Sequence, residues 1–383
     1  MLIIAMICCL PASALAHGGS PIAEQVQDVG DSQWVAQTNF GMVTSADTQT
    51  YVCEEAFDGG GRFQMAALDL HRWVVFTREA IWYTEDGCDF EQVRELPEHA
   101  AGVATSPERD RVVYVLNAED PEVGGLWQTE DGRSFTQFDL GVDGLHLSGA
   151  RFIGEDRLVV SAYPTDLSEN GAAHLLLVDL AEGTAEDLGD LSPYERPYML
   201  DGAGGTFAWF AREGTSYIFF WGTPDEPMRD STELEMWPDG AKVSQNGQTV
   251  WIAGAGAEGR GVLEGSMTRF PRFEQRWSDH SALCIGGDAD LHLLCASRDR
   301  EGHDISRVTD GGDFESAVDF VDLTGARDDC PAGSDVATAC PPVWPELAAA
   351  LGIEVEGGED AGSGEDAGVP ADVGSGQESG GSE

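Results

Sequence analysis

The chain has 383 residues, 69 of them acidic against 21 basic, for a formal net charge of −48. So negative a field excludes nucleic acid and anionic membrane surfaces as partners. No apolar run approaches the roughly 20 residues that a membrane-spanning helix needs, so direct membrane insertion is excluded as well.

Taken from the start, Leu2 to Leu10 is a short apolar run, followed by Pro11 and by Ala14-Leu15-Ala16, a small-x-small pattern. This predicts a signal peptide over 1–16 and a protein that is secreted or otherwise extracytoplasmic, in the periplasm or at the cell surface. Cleavage would leave His17-Gly18-Gly19 as the new terminus. An N-terminal His can chelate copper through its amine and ring, but no second facing His is identifiable, so neither metal nor cofactor is expected.

Beyond the terminus, helical periodicity is nearly absent. Runs such as Trp73 to Phe76, Val112 to Leu116, Leu158 to Val160 and Tyr217 to Trp221 are β-branched and aromatic, and Gly, Asp and Pro turns separate them. The chain reads as all-β. Four segments align without gaps: Ser45 to Tyr51, Thr84 to Phe90, Thr129 to Phe135 and Val308 to Phe314. Each has Asp at its third position (Asp47, Asp86, Asp131, Asp310) and an aromatic at its seventh (Tyr51, Phe90, Phe135, Phe314). Three carry Gly after the Asp: Gly87, Gly132 and Gly311. A short carboxylate accepts backbone N–H bonds across a hairpin turn, Gly supplies positive φ, and the aromatic plugs the gap between neighbouring sheets.

The spacing is regular. Asp47 to Asp86 is 39 residues, Asp86 to Asp131 is 45, and Asp131 to Asp310 is 179, close to four steps of 45. Three degenerate repeats are therefore expected near residues 176, 221 and 266. Seven units predict a seven-bladed β-propeller over 17–325, each blade a four-stranded antiparallel sheet. A β-sandwich with a second domain would not produce a fixed step.

Six cysteines follow the signal region, and six allow 15 pairings. Cys284 and Cys295 flank a Gly/Asp turn and sit in arms of one hairpin. Cys330 and Cys340 bracket a Pro/Gly/Ser loop, which by elimination leaves Cys53 with Cys88. A zinc site lacks the paired Cys-x-x-Cys spacing. Residues 326–356 read as a disulfide-stapled extension with a short helix over Trp344 to Leu351. Residues 357–383, almost all Gly, Ser, Glu, Asp and Ala, read as a disordered acidic tail.

The four aligned segments resemble the Asp-box, or bacterial neuraminidase repeat, of sialidases and related propellers, although each is one residue shorter between Asp and aromatic. The His-Gly-Gly start, Val52 to Ala56 and Asp86-Gly87-Cys88 also resemble secreted repeat proteins of myxobacteria-like bacteria with no assigned activity. The sialidase resemblance implies an arginine triad, a Tyr activated by Glu, and an Asp acid. Tyr194-Glu195-Arg196-Pro197 gathers suitable residue types, but neighbours on a strand point to opposite faces. Asp-boxes are structural in that family, so the resemblance assigns no catalytic residue here. The acidic pairs Asp288/Asp290 and Asp328/Asp329 lack the Asp-x-Asp-x-Asp-Gly pattern of a calcium loop. The sequence thus points to a monomeric, non-catalytic propeller that binds a protein or glycan through its channel face. The alternative is a sialidase-type glycoside hydrolase.

Overall fold

The computed structural model describes residues 20–57, 62–117, 124–142, 144–165, 172–234, 237–255, 261–266, 273–280, 282–287, 292–308 and 313–354. The expected signal peptide and acidic tail lie outside them. Seven antiparallel blades surround a central axis. Their innermost strands are Ala23–Gly30, Gln64–Ala67, Ala100–Thr105, Leu145–Phe152, the second half of Thr184–Ala203, Trp237–Val243 and Cys284–Gly287. Contacts between neighbouring inner strands, with the Gln27 side chain reaching from blade 1 to Met65 and Ala67 of blade 2, make the ring.

Two departures from seven separate four-stranded sheets arise from register. Blades 4 and 5 form one seven-stranded sheet because Thr184–Ala203 pairs outward with Ala172–Asp179 through its first half and with Thr206–Glu213 through its second. The register shifts between Glu195 and Tyr198, where Arg196 takes a positive φ of 49°. Blade 1 gains a fifth strand, Gly325–Ala326, which runs parallel to Asp47–Cys53.

The middle strands are continuous apolar runs because both of their faces meet a neighbouring blade. All five residues of Val112–Leu116 are buried. The apolar clusters accordingly lie between blades: Ala66, Val74 and Tyr83 meet Val112 and Tyr114 between blades 2 and 3. Likewise Val113 and Leu126 meet Leu158 and Val160 between blades 3 and 4. Burying each such side chain contributes about 1.5–3 kcal/mol. One cluster joins three blades at once, combining Cys284, Ile305 and Phe320 of the blade 7 side with Trp34 and Tyr51 of blade 1, Trp73 of blade 2, and Val336 and Leu347 of the C-terminal helix.

That helix corrects the expected short one: it runs over Asp335–Leu351. Ser334 caps it by accepting from the Ala337 amide at 3.3 Å, and Gly352 ends it in the left-handed conformation, φ 75°. Pro341, Pro342 and Pro345 lie inside it, so helical hydrogen bonding is interrupted there. Tertiary attachment compensates, through the buried Val336, Cys340, Leu347 and Ala348.

The pairing of four cysteines is also corrected. Cys53 bonds to Cys340 and Cys88 to Cys330, in place of the local pairs Cys53–Cys88 and Cys330–Cys340. The reason is topological: the extension returns to blade 1 as its fifth strand and lays its helix against blades 1 and 2, which brings distant cysteines together. Cys284 pairs with Cys295 across adjacent strands of one hairpin.

The two long-range bridges span 287 and 242 residues and the hairpin bridge spans 11. Replacing Cys53, Cys88, Cys330 and Cys340 together by Ala is expected to cost about 10 kcal/mol, against about 3 kcal/mol for replacing Cys284 and Cys295, by loop entropy. Denaturant melts of the two variants check this; equal losses would contradict it.

Candidate functional site

In an antiparallel blade, the start of the innermost strand, the connection between the second and third strands, and the link to the next blade all share one end. Here that end carries a cavity of about 540 Å³. The inner-strand starts of several blades contribute to it: Ala23, Gln64, Ala100, Asp239 and the adjoining Leu283. Its floor is apolar, built from the buried Ala23, Phe63, Phe76 and Ala100. Its rim carries exposed Glu24, Arg62, His99 and Asp239: two carboxylates, an arginine and an imidazole. Ile22, 40% exposed, stands beside them. Glu24 accepts from the Gln37 amide at 3.1 Å.

The opposite mouth is bridged. Arg109, in the first hairpin connection of blade 3 and at φ 56°, reaches across to Asp28 of blade 1 at 3.4 Å. Gly30, φ 91°, admits it: a Cβ there would lie 2.9 Å from the guanidinium.

The Asp-turn segments lie elsewhere, on the connection between the third and fourth strands of their blades. The three degenerate positions, 176, 221 and 266, fall in the third strands Ala172–Asp179, Ser216–Thr223 and Val262–Ser266. In the first segment Asp47 accepts from the Gln49 amide at 2.9 Å and the Thr50 hydroxyl at 2.6 Å. Tyr51 is buried at 5.9 Å from the Trp344 ring, and burial pushes its phenol well up. In the second, Asp86 accepts from the amides of Cys88 and Asp89 at 2.8 and 3.1 Å. Burial works to raise the Asp86 carboxyl, but these amides and Thr84 outweigh it and hold it below its usual value. Gly87, φ 72°, donates to the Thr84 hydroxyl, and Phe90 packs 5.2 Å from the Phe57 ring.

The third segment repeats the second. Asp131 accepts from Ser134 and Arg133 amides at 2.6 and 2.8 Å, which draw its carboxyl down to about 2. Gly132, φ 74°, lies so close to Tyr83 of the preceding blade that a Cβ would come within 2.4 Å of the ring. Arg133 stacks over that ring at 4.4 Å, and Phe135 meets Tyr114 edge-on at 5.5 Å. Of the fourth segment, Asp310 and Gly311 lie outside the described residues, whereas Phe314 stacks on His280 at 3.5 Å. The third turn therefore joins blade 3 to blade 2, the first reaches the C-terminal helix, and none of the first three converges on either mouth.

The second turn has a further task. Phe90 donates its amide to the Asp335 carboxylate at 2.8 Å, the Asp335 amide donates to the Asp89 carboxylate at 3.2 Å, and the Val336 amide donates to the Cys88 carbonyl at 3.1 Å. The turn thus receives the start of the C-terminal helix.

The remaining candidates disperse. Tyr194 is partly buried with its ring 4.5 Å from Phe220, while Glu195 and Arg196 are exposed. Asp288 and Asp290 lie outside the described residues; Asp329 pairs with Arg327 at 2.6 Å. Among the described residues the one grouping of potential metal donors is Cys88, Asp329 and Cys330, whose sulfurs are bonded to each other.

Two groups carry no signal in the sequence. Asp179 accepts from the Glu182 amide at 3.0 Å, an Asp turn on the blade 4 connection that lacks the neighbouring Gly. Asp304, 3% exposed, accepts from the Phe320 amide at 2.7 Å beside Arg298 and Asp319. Burial raises the Asp304 carboxyl to about 6, assisted by Asp319 and opposed by the Phe320 amide and Arg298.

Asp86→Ala strands two amides and is expected to cost about 1–2 kcal/mol, while Asp86→Asn keeps an acceptor and recovers at least half, as thermal melts will read. For Asp304, a folded value above the free one means that its stabilising contribution is complete below about pH 4 and is lost as pH rises to about 6. Asp304→Asn, neutral throughout, is expected to exceed the native chain in stability by up to about 3 kcal/mol at pH 8 and to show no gain at pH 4. Parallel pH profiles would contradict this.

No family model and no curated protein sequence matches the chain. Among solved structures, a chain of Kuenenia stuttgartiensis hydrazine synthase is similar at 10% identity with a TM-score of 0.54, covering 77% of this chain and 97% of that one. An extracellular domain from B. thetaiotaomicron has a TM-score of 0.48 at 11% identity, covering 75% of this chain and 38% of that one. A GH74 xyloglucanase from Xanthomonas campestris has a TM-score of 0.43 at 11% identity, covering 76% and 58%. The likeness is one of fold alone, the β-propeller.

Proposed function

We propose that the chain is an extracytoplasmic, non-catalytic propeller that binds a protein or glycan ligand at the mouth where its inner strands begin. The observation that carries this reading is the asymmetry of the channel: one mouth holds an apolar-floored cavity with a mixed-charge rim, and the other is bridged by Arg109 and Asp28. A concave apolar site with a few exposed polar groups suits recognition. Among the described residues its lining holds one arginine, Arg62, and no tyrosine, which favours binding over a sialidase-type reaction. Three disulfides are consistent with an extracytoplasmic location, and no helix among the described residues is long and apolar enough to cross a membrane. The Asp turns serve in this reading as structural Asp-boxes.

The test is capture from the producing cells' envelope and medium, together with a glycan array, comparing the native chain with Ile22→Glu/Arg62→Glu. Both positions are exposed, so folding is expected to be unaffected. Loss of the captured species by about tenfold or more, with an unchanged melting temperature, supports the site. Capture indifferent to the double substitution overturns it, and turnover of a fluorogenic sialoside above a heat-killed control overturns the non-catalytic assignment.

A further inference from the structure

Near the far ends of three successive inner strands, the wall of the channel carries Arg151 of blade 4, Asp201 of blade 5 and Lys242 of blade 6. Asp201 lies 3.8 Å from Lys242, and its chain neighbour Leu200 holds Arg151 at 2.9 Å, which brings the three together. Arg151 donates Nε to the Leu200 carbonyl at 2.9 Å, and Nη1 to the carbonyls of Val103 and Ala150 at 3.1 and 2.7 Å. These bonds fix the guanidinium plane. Its Nη2 donates to no group among the described residues. Lys242, the only lysine in the chain, holds its Nζ 3.8 Å from Asp201 Oδ2, beyond hydrogen-bond reach. That oxygen is already engaged by the Val243 amide at 2.7 Å.

Both cations therefore lie in the field of Asp201, and among the described residues each keeps donors without a partner. Both remain partly accessible although they stand on innermost strands. The local surplus is positive inside a molecule of net charge −48. Desolvation draws the Arg151 guanidinium below its ordinary value, with only Asp201 opposing, so an added anion would relieve a standing electrostatic cost. A guanidinium fork held in place is well suited to an oxyanion, and an ammonium adds a point charge.

We propose that Arg151 and Lys242 form a receptor for a small oxyanion, phosphate or carboxylate, on the channel wall between blades 4 and 6. This site is separate from the open mouth and does not rest on the ligand proposed there. Asp201 acts as the competing internal anion. It sets the affinity low in the native chain.

The single lysine supplies the readout. Acetylation of Lys242 by an N-hydroxysuccinimide ester, followed by peptide mass spectrometry, is measured with and without about 10 mM inorganic phosphate or acetate. Sodium chloride keeps the ionic strength near 150 mM, where long-range repulsion is screened within about 8 Å. Phosphate or acetate is expected to slow the reaction about threefold or more, Asp201→Asn to increase that protection, and Arg151→Gln to abolish it. The anion that protects at the lower concentration identifies the preferred group. If Arg151→Gln fails to fold, the gain in Asp201→Asn decides alone. Equal rates with and without both anions, in the native chain and in Asp201→Asn, would overturn the proposal.

Discussion

Seven inner strands can enclose an axis only if each keeps a fixed separation and angle to the next. The side chains and glycines at those contacts set both. Gln27 of blade 1 bonds the Met65 carbonyl and the Ala67 amide of blade 2, and Gln64 of blade 2 bonds the Ala100 carbonyl of blade 3. Gly102 of blade 3 faces Gly149 of blade 4 so closely that a Cβ would come within 2.8 Å of its Cα. Arg151 and Ser148 tie blade 4 to the Leu200 and Pro197 carbonyls of blade 5, and Asp201 ties blade 5 to the Val243 amide of blade 6. At the last two steps backbone approaches backbone, with Gly240 against Cys284 and Ile285, and Gly286 against the Val26 carbonyl. Polar wall residues thus serve as hoops of this ring, and Arg151 does so with Nε and Nη1.

The step from blade 7 to blade 1 is where chain continuity gives no help. Each of these blades is built from its own consecutive strands, so no shared strand closes the circle. Closure comes from the C-terminal extension beyond blade 7. Gly325–Ala326 pairs along blade 1, the helix Asp335–Leu351 packs against blades 1 and 2, and two disulfides lock it there. The apolar cluster at this seam draws on three blades and the helix, so burial and covalent bonds act on the same join. A rigid seam in turn holds the rim of the open mouth, whose lining includes Ile22 and Glu24 of blade 1, Asp239 of blade 6 and Leu283 beside blade 7.

What could be read from the sequence depends on the range of the forces involved. The Asp turns are legible because each carboxylate bonds amides two or three residues away, as Asp86 does with Cys88 and Asp89. Their common position, on the same connection of each blade that carries one, is what converts their spacing into a blade count. The disulfides of Cys53 and Cys88 are not legible, because their partners are chosen by a strand and a helix that return from the far end of the chain. The helix hides behind Pro341, Pro342 and Pro345, which local propensity counts against it. The open mouth is assembled from one or two residues per blade, such as Ile22, Arg62, His99 and Asp239, and no segment carries a pattern for it. Asp304 looks like an ordinary surface aspartate until Phe320 and Asp319 enclose it.

Amide hydrogen exchange before and after reduction of the Cys53–Cys340 and Cys88–Cys330 bridges tests most directly the claim that the C-terminal extension closes the ring. Protection is expected to fall first along Ala23–Gly30 and Cys284–Gly287, the inner strands that flank the seam, while Leu145–Phe152 on the far side of the ring keeps its protection. Uniform loss across all blades, or no loss at the seam, would contradict it.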